Sequence, residues 1–126
     1  EVAGRGGTNW ASIEYARNQS DFEQQVASPF LNWGMDTAKL LPAISANCPS
    51  LNLVGSGGVR DGLDIARCIR LGACVTALAQ PFLAPALEST EAAVNKIAIL
   101  KEQLRWAMFL TGSKDLKALK TAKLEE

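Results

Sequence analysis

SGGVRDGLDIARCIRLGA, residues 56–73, joins a double glycine to a helix-start signal and an amphipathic run that ends at Gly72. Residues 51–54 just before it read as a short buried strand. Gly57 and Gly58 let the backbone turn sharply and approach a ligand with no Cβ in the way. Asp61 stands at an N-cap position, and Leu63, Ile65, Ala66 and Ile69 fall at helical spacing. Strand, glycine loop and helix start in this order suit an anion, because orphan N–H donors and the positive end of the helix dipole converge on one spot. A Gly-Gly after a strand is equally a plain tight turn, and the pattern is neither GxGxxG nor a Walker loop.

The flanking segments favour the anion site. Residues 74–78 form a second short apolar strand, followed by Ala79, Gln80 and Pro81. In a barrel of alternating strands and helices, the loops after the last two strands are the usual phosphate site. Upstream, residues 1–3 read as the end of a strand, and Gly4, Gly6 and Gly7 make a loop with Thr8, Asn9 and Trp10 on its far side. Residues 18–32, rich in Gln, Asn and Ser, read as a mobile surface loop or lid, or as a loosely held helix.

Asp36 or Thr37 caps a helix with Leu40, Leu41 and Ile44 on its apolar stripe, and Pro42 is tolerated only near a first turn. Pro81 and Pro85 bracket a connector. Ser89 caps a long helix on which Ile97, Leu100, Leu104, Ala107 and Met108 recur at three and four. Gly112 ends it, Ser113 caps a short last helix carrying Leu116 and Leu119, and residues 120–126 form a frayed tail. Alternation of this kind predicts an α/β fold with parallel strands covered by helices. A free-standing three-stranded sheet would leave its edges open. Residues 1–126 are therefore expected to be the C-terminal part of a single (β/α)8 TIM-barrel domain, the alternative being an open α/β minidomain.

Composition narrows the chemistry. The 126 residues carry 13 basic and 13 acidic side chains, so the formal charge is zero, and no basic stripe invites nucleic acid. No apolar run is long enough to cross a bilayer and no signal-peptide pattern is seen, which predicts a soluble cytoplasmic protein without a membrane partner. Cys48, Cys68 and Cys74 lack the spacing of a zinc site or a disulfide framework and read as buried free thiols. There is no histidine, so acid-base work falls to carboxylates, lysines, a cofactor or residues elsewhere.

With GRGGTNW at 4–10, SGGVRDG at 56–62, LGA at 71–73 and AQPFL at 79–83, the chain resembles the type 2, flavin-dependent isopentenyl-diphosphate isomerases. The likeness runs through nearly the whole chain and covers about the last third of a family member. The glycine block is shared with many FMN barrels, and GGTNW is the more discriminating piece. The resemblance implies a (β/α)8 barrel holding FMN, which interconverts isopentenyl and dimethylallyl diphosphates in isoprenoid biosynthesis with no net redox change. It implies Mg2+ and NADPH as further cofactors and a homo-oligomer, tetramer or octamer. It makes Thr8 a flavin contact, Gly57, Gly58, Val59 and Arg60 the first half of a phosphate clamp, and Ala79 and Gln80 the second half. Backbone N–H groups beside a guanidinium suit a phosphate dianion. Gln80 stands where many relatives carry Gly or Arg.

Other readings of these residues stay open. Thr8 has a helix cap as its alternative, Arg60 a solvated first-turn residue, and Trp10 is a packing aromatic or a substrate wall. Glu14, four residues beyond Trp10 and so on the same helical face, reaches toward the active-site mouth as a proton-transfer or metal-diphosphate residue, or is a helix-dipole partner. The family's metal-binding glutamate, double-bond glutamine, flavin-contacting lysine and diphosphate-binding basic residues have no counterpart here. The segment alone is expected to be inactive and to supply no metal ligand. The competing classes are another FMN-barrel oxidoreductase and a non-catalytic phosphate-binding half-barrel.

Overall fold

The structure is a computed structural model that describes residues 1–6, 9–17 and 20–124. Two short strands, β1 (Val54–Gly55) and β2 (Val75–Thr76), pair in parallel with Val54 opposite Val75 and Gly55 opposite Thr76. Val2 lies along the other edge of β1 in a parallel bridge to Gly55. Its N–H donates to Val54 O (2.8 Å), and its carbonyl accepts from Ser56 N (3.0 Å). Three parallel segments with β1 in the middle thus form the sheet, and the α/β class stands. The strands are shorter than the apolar runs suggest, because β1 begins only at Val54 and β2 ends at Thr76.

Helices α1 (Trp10–Arg17), α2 (Asp21–Ala27) and α3 (Thr37–Asn47) link Val2 to β1. Asn9 starts α1 by accepting from Ser12 N (3.1 Å). Within the 18–32 segment, α2 and the 3-10 turn after it follow the helical one of the two readings of this stretch. At the start of α2 the Ser20 hydroxyl accepts from Glu23 N (3.2 Å) and donates to Glu23 Oε2 (2.8 Å), and Pro29 sits in a following single 3-10 turn, Ser28–Phe30. Pro42 falls in the second turn of α3 rather than the first. The helix tolerates the missing N–H there, and Leu41 beside it is fully buried.

Between the strands runs α4 (Gly62–Arg70), with Asp61 accepting from Asp64 N (2.9 Å) at its start. It ends in a Schellman motif at Gly72: Gly72 N donates to Ile69 O and Ala73 N to Cys68 O. After β2, the stretch read as a connector is a 3-10 turn (Gln80–Phe82) leading into α5 (Leu83–Glu88). Pro81 and Pro85 lie in first turns, where a missing N–H costs nothing. Ser89 caps α6 (Thr90–Leu110), accepting from Ala92 N (3.0 Å). Asp115, not Ser113, caps α7 (Leu116–Leu119). Ser113 is taken up by the Schellman end of α6, its N–H donating to Met108 O and its hydroxyl paired with that of Thr111.

Two clusters make the core. Val2, Leu41, Leu53, Val59, Cys68 and Ala73 surround the strands, and Ala66, Ile69, Ala107 and Leu119 join α4, α6 and α7. On α6 the apolar stripe buries Leu100 and Ala107, with Leu104 and Met108 packed alongside, while Ile97 stays half exposed. The tail is anchored as far as Ala122, whose carbonyl accepts from Arg70 Nε. Of the three thiols only Cys68 is buried; Cys48 and Cys74 are exposed, one at the end of α3 and the other just before β2. No helix among the described residues is long and apolar enough to cross a membrane.

Candidate anion-binding site

The C-terminal ends of the three parallel segments open onto one cavity of about 380 Å3. Its walls are Glu1 and Ala3, the loop after β1 from Ser56 to Arg60, and Ala77, Leu78, Ala79 and Gln80 after β2. Ligands of parallel α/β proteins bind at this end of the strands. Gly57, Gly58, Val59, Arg60, Ala79 and Gln80, the residues picked out in sequence as two halves of a clamp, all line this one space. Among the described residues, the N–H groups of Gly57, Gly58, Val59, Ala79 and Gln80 have no protein acceptor. The Arg60 side chain is exposed and has no ion-pair partner among the described residues.

The glycines of the loop serve a second purpose. Gly57 has φ +78° and Gly58 φ +88°, and a Cβ on Gly57 would lie 1.3 Å from Ala3 O. A Cβ on Gly58 would lie 2.6 Å from Gly6 O. The two glycine loops therefore interlock backbone against backbone, and that close approach, more than room for a ligand, excludes side chains here. Arg5 fastens the first loop to the start of α3. Its Nε donates to Asp36 (2.8 Å), its Nη1 to Asn32 O (3.0 Å) and its N–H to Met35 O (3.0 Å). Thr37, buried at the start of α3, places its hydroxyl 2.7 Å from Ala3 O, 2.9 Å from Ser56 O and 3.3 Å from Gly57 O.

A sequence model of FMN-dependent dehydrogenases matches residues 31–126. The chain belongs to the FMN-dependent dehydrogenase family. Among curated proteins it is 45% identical over 124 residues to an isopentenyl-diphosphate delta-isomerase of Stutzerimonas stutzeri, a match covering 98% of this chain and 36% of the relative. Isopentenyl-diphosphate delta-isomerases of Cronobacter sakazakii and of a Nostoc species are 44% and 40% identical, over 98% and 95% of the chain and 36% and 34% of theirs. The chain thus spans about a third of the length of these relatives.

Within this FMN-dependent dehydrogenase segment the helix end contributes less to the cavity than its sequence suggests. At the start of α4, Gly62 N donates to Gln103 Oε1 of α6 (2.9 Å), Asp64 N to Asp61, and Arg60 N to Asp64 Oδ2 (3.1 Å). Gly62 N and Asp64 N of the first turn are thus taken up within the protein, and α4 offers the cavity fewer donors than the loops do. Thr8 lies outside the described residues. Glu14 does not line the cavity; it is exposed on α1 and pairs with Arg17 at 3.6 Å. Trp10 is neither core nor part of the cavity: it walls a separate apolar groove with Phe30 and Trp33.

Electrostatics fit the same arrangement. The hydrogen bond from Arg5, and then its charge, hold the Asp36 carboxyl below the usual carboxylate range, and Asp36 in turn holds Arg5 protonated more firmly. Burial, with a smaller contribution from Asp64, pushes the Cys68 thiol up. Among the described residues no group of three His, Cys, Asp or Glu side chains is placed to hold a metal ion. Sequence reasoning missed Thr37 as a part of the site because a Thr before a helix reads as a cap. Its real partners are 19, 20 and 34 residues away.

Proposed function

We propose that this chain is the C-terminal part of an FMN-binding (β/α)8 barrel that interconverts isopentenyl and dimethylallyl diphosphates, and that the cavity holds the FMN phosphate. One observation carries the reading. Loops after two adjacent parallel strands present N–H groups without protein acceptors among the described residues to a single cavity, with the Arg60 guanidinium at its edge. Such a donor set fits a phosphate dianion, since each charge-assisted hydrogen bond adds more than a neutral one. Among the described residues Glu1 is the one acidic side chain on the wall, so the phosphate belongs on the Gly57 and Gln80 side. The names of the relatives supply the substrate pair.

The open edges support the barrel. Val75 on β2 is 54% exposed although it is a strand residue, and α5 and α6 expose Leu83, Leu87, Trp106 and Phe109. Further strands and helices of a barrel would cover such surfaces. Bound flavin would supply the acid-base chemistry that moves a proton across the double bond. The chain's own part is to grip the phosphate and so fix where the flavin ring lies. Magnesium, NADPH, oligomeric assembly and a cytoplasmic location complete the proposal, with metal and nicotinamide contacts made by other parts of the protein.

A redox reaction is the second reading, favoured by the family's description as dehydrogenases. The test compares the two on one sample. Full-length protein with reduced FMN and magnesium should convert isopentenyl diphosphate without net consumption of reductant, whereas the 126-residue segment alone should not. Stoichiometric oxidation of a substrate by the full-length protein, with no isomerisation, would replace this proposal by the redox one.

A further inference from the structure

We infer that Thr37 is the positioning residue of the anion-binding loop: from behind the loop its one hydroxyl proton, shared with the Ala3 carbonyl, draws the Ser56 and Gly57 carbonyls toward it and so aims the Gly57 and Gly58 N–H groups into the cavity. The inference rests on the phosphate reading of that cavity. In a planar trans peptide the C=O and the following N–H point in opposite directions. Thr37 Oγ1 lies 2.9 Å from Ser56 O and 3.3 Å from Gly57 O, so the N–H groups of Gly57 and Gly58 must point away from it.

What lies on that far side is the cavity. Thr37 borders a separate cleft of about 220 Å3, and Gly57, Gly58 and Val59 wall both that cleft and the 380 Å3 cavity. The loop is therefore a thin partition, with carbonyls on the Thr37 side and N–H groups on the other. Those two N–H groups have no protein acceptor among the described residues. Consecutive N–H groups facing one point make an anion-binding concavity, and positive φ at both glycines permits it.

Glycine permits this conformation without enforcing it, because it visits many others as readily. The hydroxyl adds a constraint: its one proton is shared among the Ala3, Ser56 and Gly57 carbonyls, which gathers the loop and the neighbouring segment around it. At 8% exposure, and with no place on the cavity wall, Thr37 acts through the loop and touches no ligand itself.

The test uses Thr37→Val, which keeps the shape and removes the hydroxyl, and Thr37→Ser, which keeps it. Purified full-length protein is titrated with FMN and with riboflavin, which has the same ring system and no phosphate. The Val variant should bind FMN about tenfold more weakly, roughly the loss of one hydrogen bond to a charged group, with riboflavin affinity unchanged and FMN affinity restored in the Ser variant. Amide exchange across residues 56–59 without ligand should quicken in the Val variant and stay near wild type in the Ser variant. Thr37→Ala serves in its place should the Val variant fail to fold.

Equal weakening of FMN and riboflavin, unchanged FMN affinity, or unchanged exchange would overturn the role given to Thr37. Wild-type protein that binds FMN no better than riboflavin refutes the phosphate reading instead. The exchange rates then decide by themselves whether Thr37 orders the loop.

Discussion

Replacing Gly57 by alanine should be far more damaging than replacing Gly112, although both glycines have positive φ, +78° and +65°. A Cβ at Gly112 meets nothing within 4 Å, so that variant measures the left-handed backbone alone, about 1–2 kcal/mol. At Gly57 the same cost applies, and the new Cβ would sit 1.3 Å from Ala3 O. That overlap is with backbone, so residues 1–3 must move away. The movement sacrifices the two hydrogen bonds between Val2 and the β1 segment and the Thr37 contact with Ala3 O. At about 1 kcal/mol net each, these three add roughly 3 kcal/mol. The expected loss is about 4–5 kcal/mol, against about 1–2 for Gly112→Ala, a large share of a typical domain's stability.

Urea midpoints of the two variants, measured side by side on the same protein, read the difference directly. Thermal melting offers a second check, at about 4 °C per kcal/mol for a chain of this length. Gly58→Ala should fall between them, because its Cβ would approach backbone less closely, 2.6 Å from Gly6 O against 1.3 Å from Ala3 O at Gly57. Equal destabilisation of Gly57→Ala and Gly112→Ala, within about 1 kcal/mol, would refute the interlock and leave only the backbone argument.

Three further outcomes are expected. Leu41→Ala should cost about 2–5 kcal/mol in chemical denaturation, because Leu41 is fully buried between α3 and the strands. Alkylation followed by peptide mass analysis should label Cys48 and Cys74 of the native protein well before Cys68, whose thiol is both buried and raised in pKa; comparable rates at all three would contradict the packing. The Asp36 carboxyl, followed by NMR, should titrate below the ordinary carboxylate range and return to it in Arg5→Gln. Since its folded pKa is depressed, the Arg5 pairing contributes fully above the unfolded carboxylate value and is lost as pH falls through the folded one, so an identical midpoint in both proteins would dismiss it.

Features that depend on neighbours in the chain were legible. Asp61 and Ser89 cap the helices their positions suggest, and Gly72 and Gly112 end them, because capping needs only the backbone two or three residues away. Where two local signals compete, sequence misleads. Ser113 looks like a cap, yet the Schellman turn that ends α6 uses it first and passes the cap to Asp115. Pro81 and Pro85 bracket what reads as a connector, yet a proline in a first turn gives up no bond, so the 3-10 turn forms around Pro81 and α5 around Pro85. The thiols at Cys48 and Cys74 look like core residues, yet each lies at an element end on the surface.

The candidate site divides in the same way. By itself the sequence determined which two loops, each following a short parallel strand, would line the candidate site, since a double glycine after a strand and the Ala79-Gln80 turn are local patterns. Only the tertiary structure decided how those loops are held and which of their donors stay unpaired among the described residues. It paired Gly62 N of α4 with Gln103 and Arg60 N with Asp64, locked Gly57 against Ala3, and brought the Thr37 hydroxyl behind the loop. Each of those contacts joins residues whose approach is set by how helices and strands pack, and packing distances leave no periodic trace along the chain.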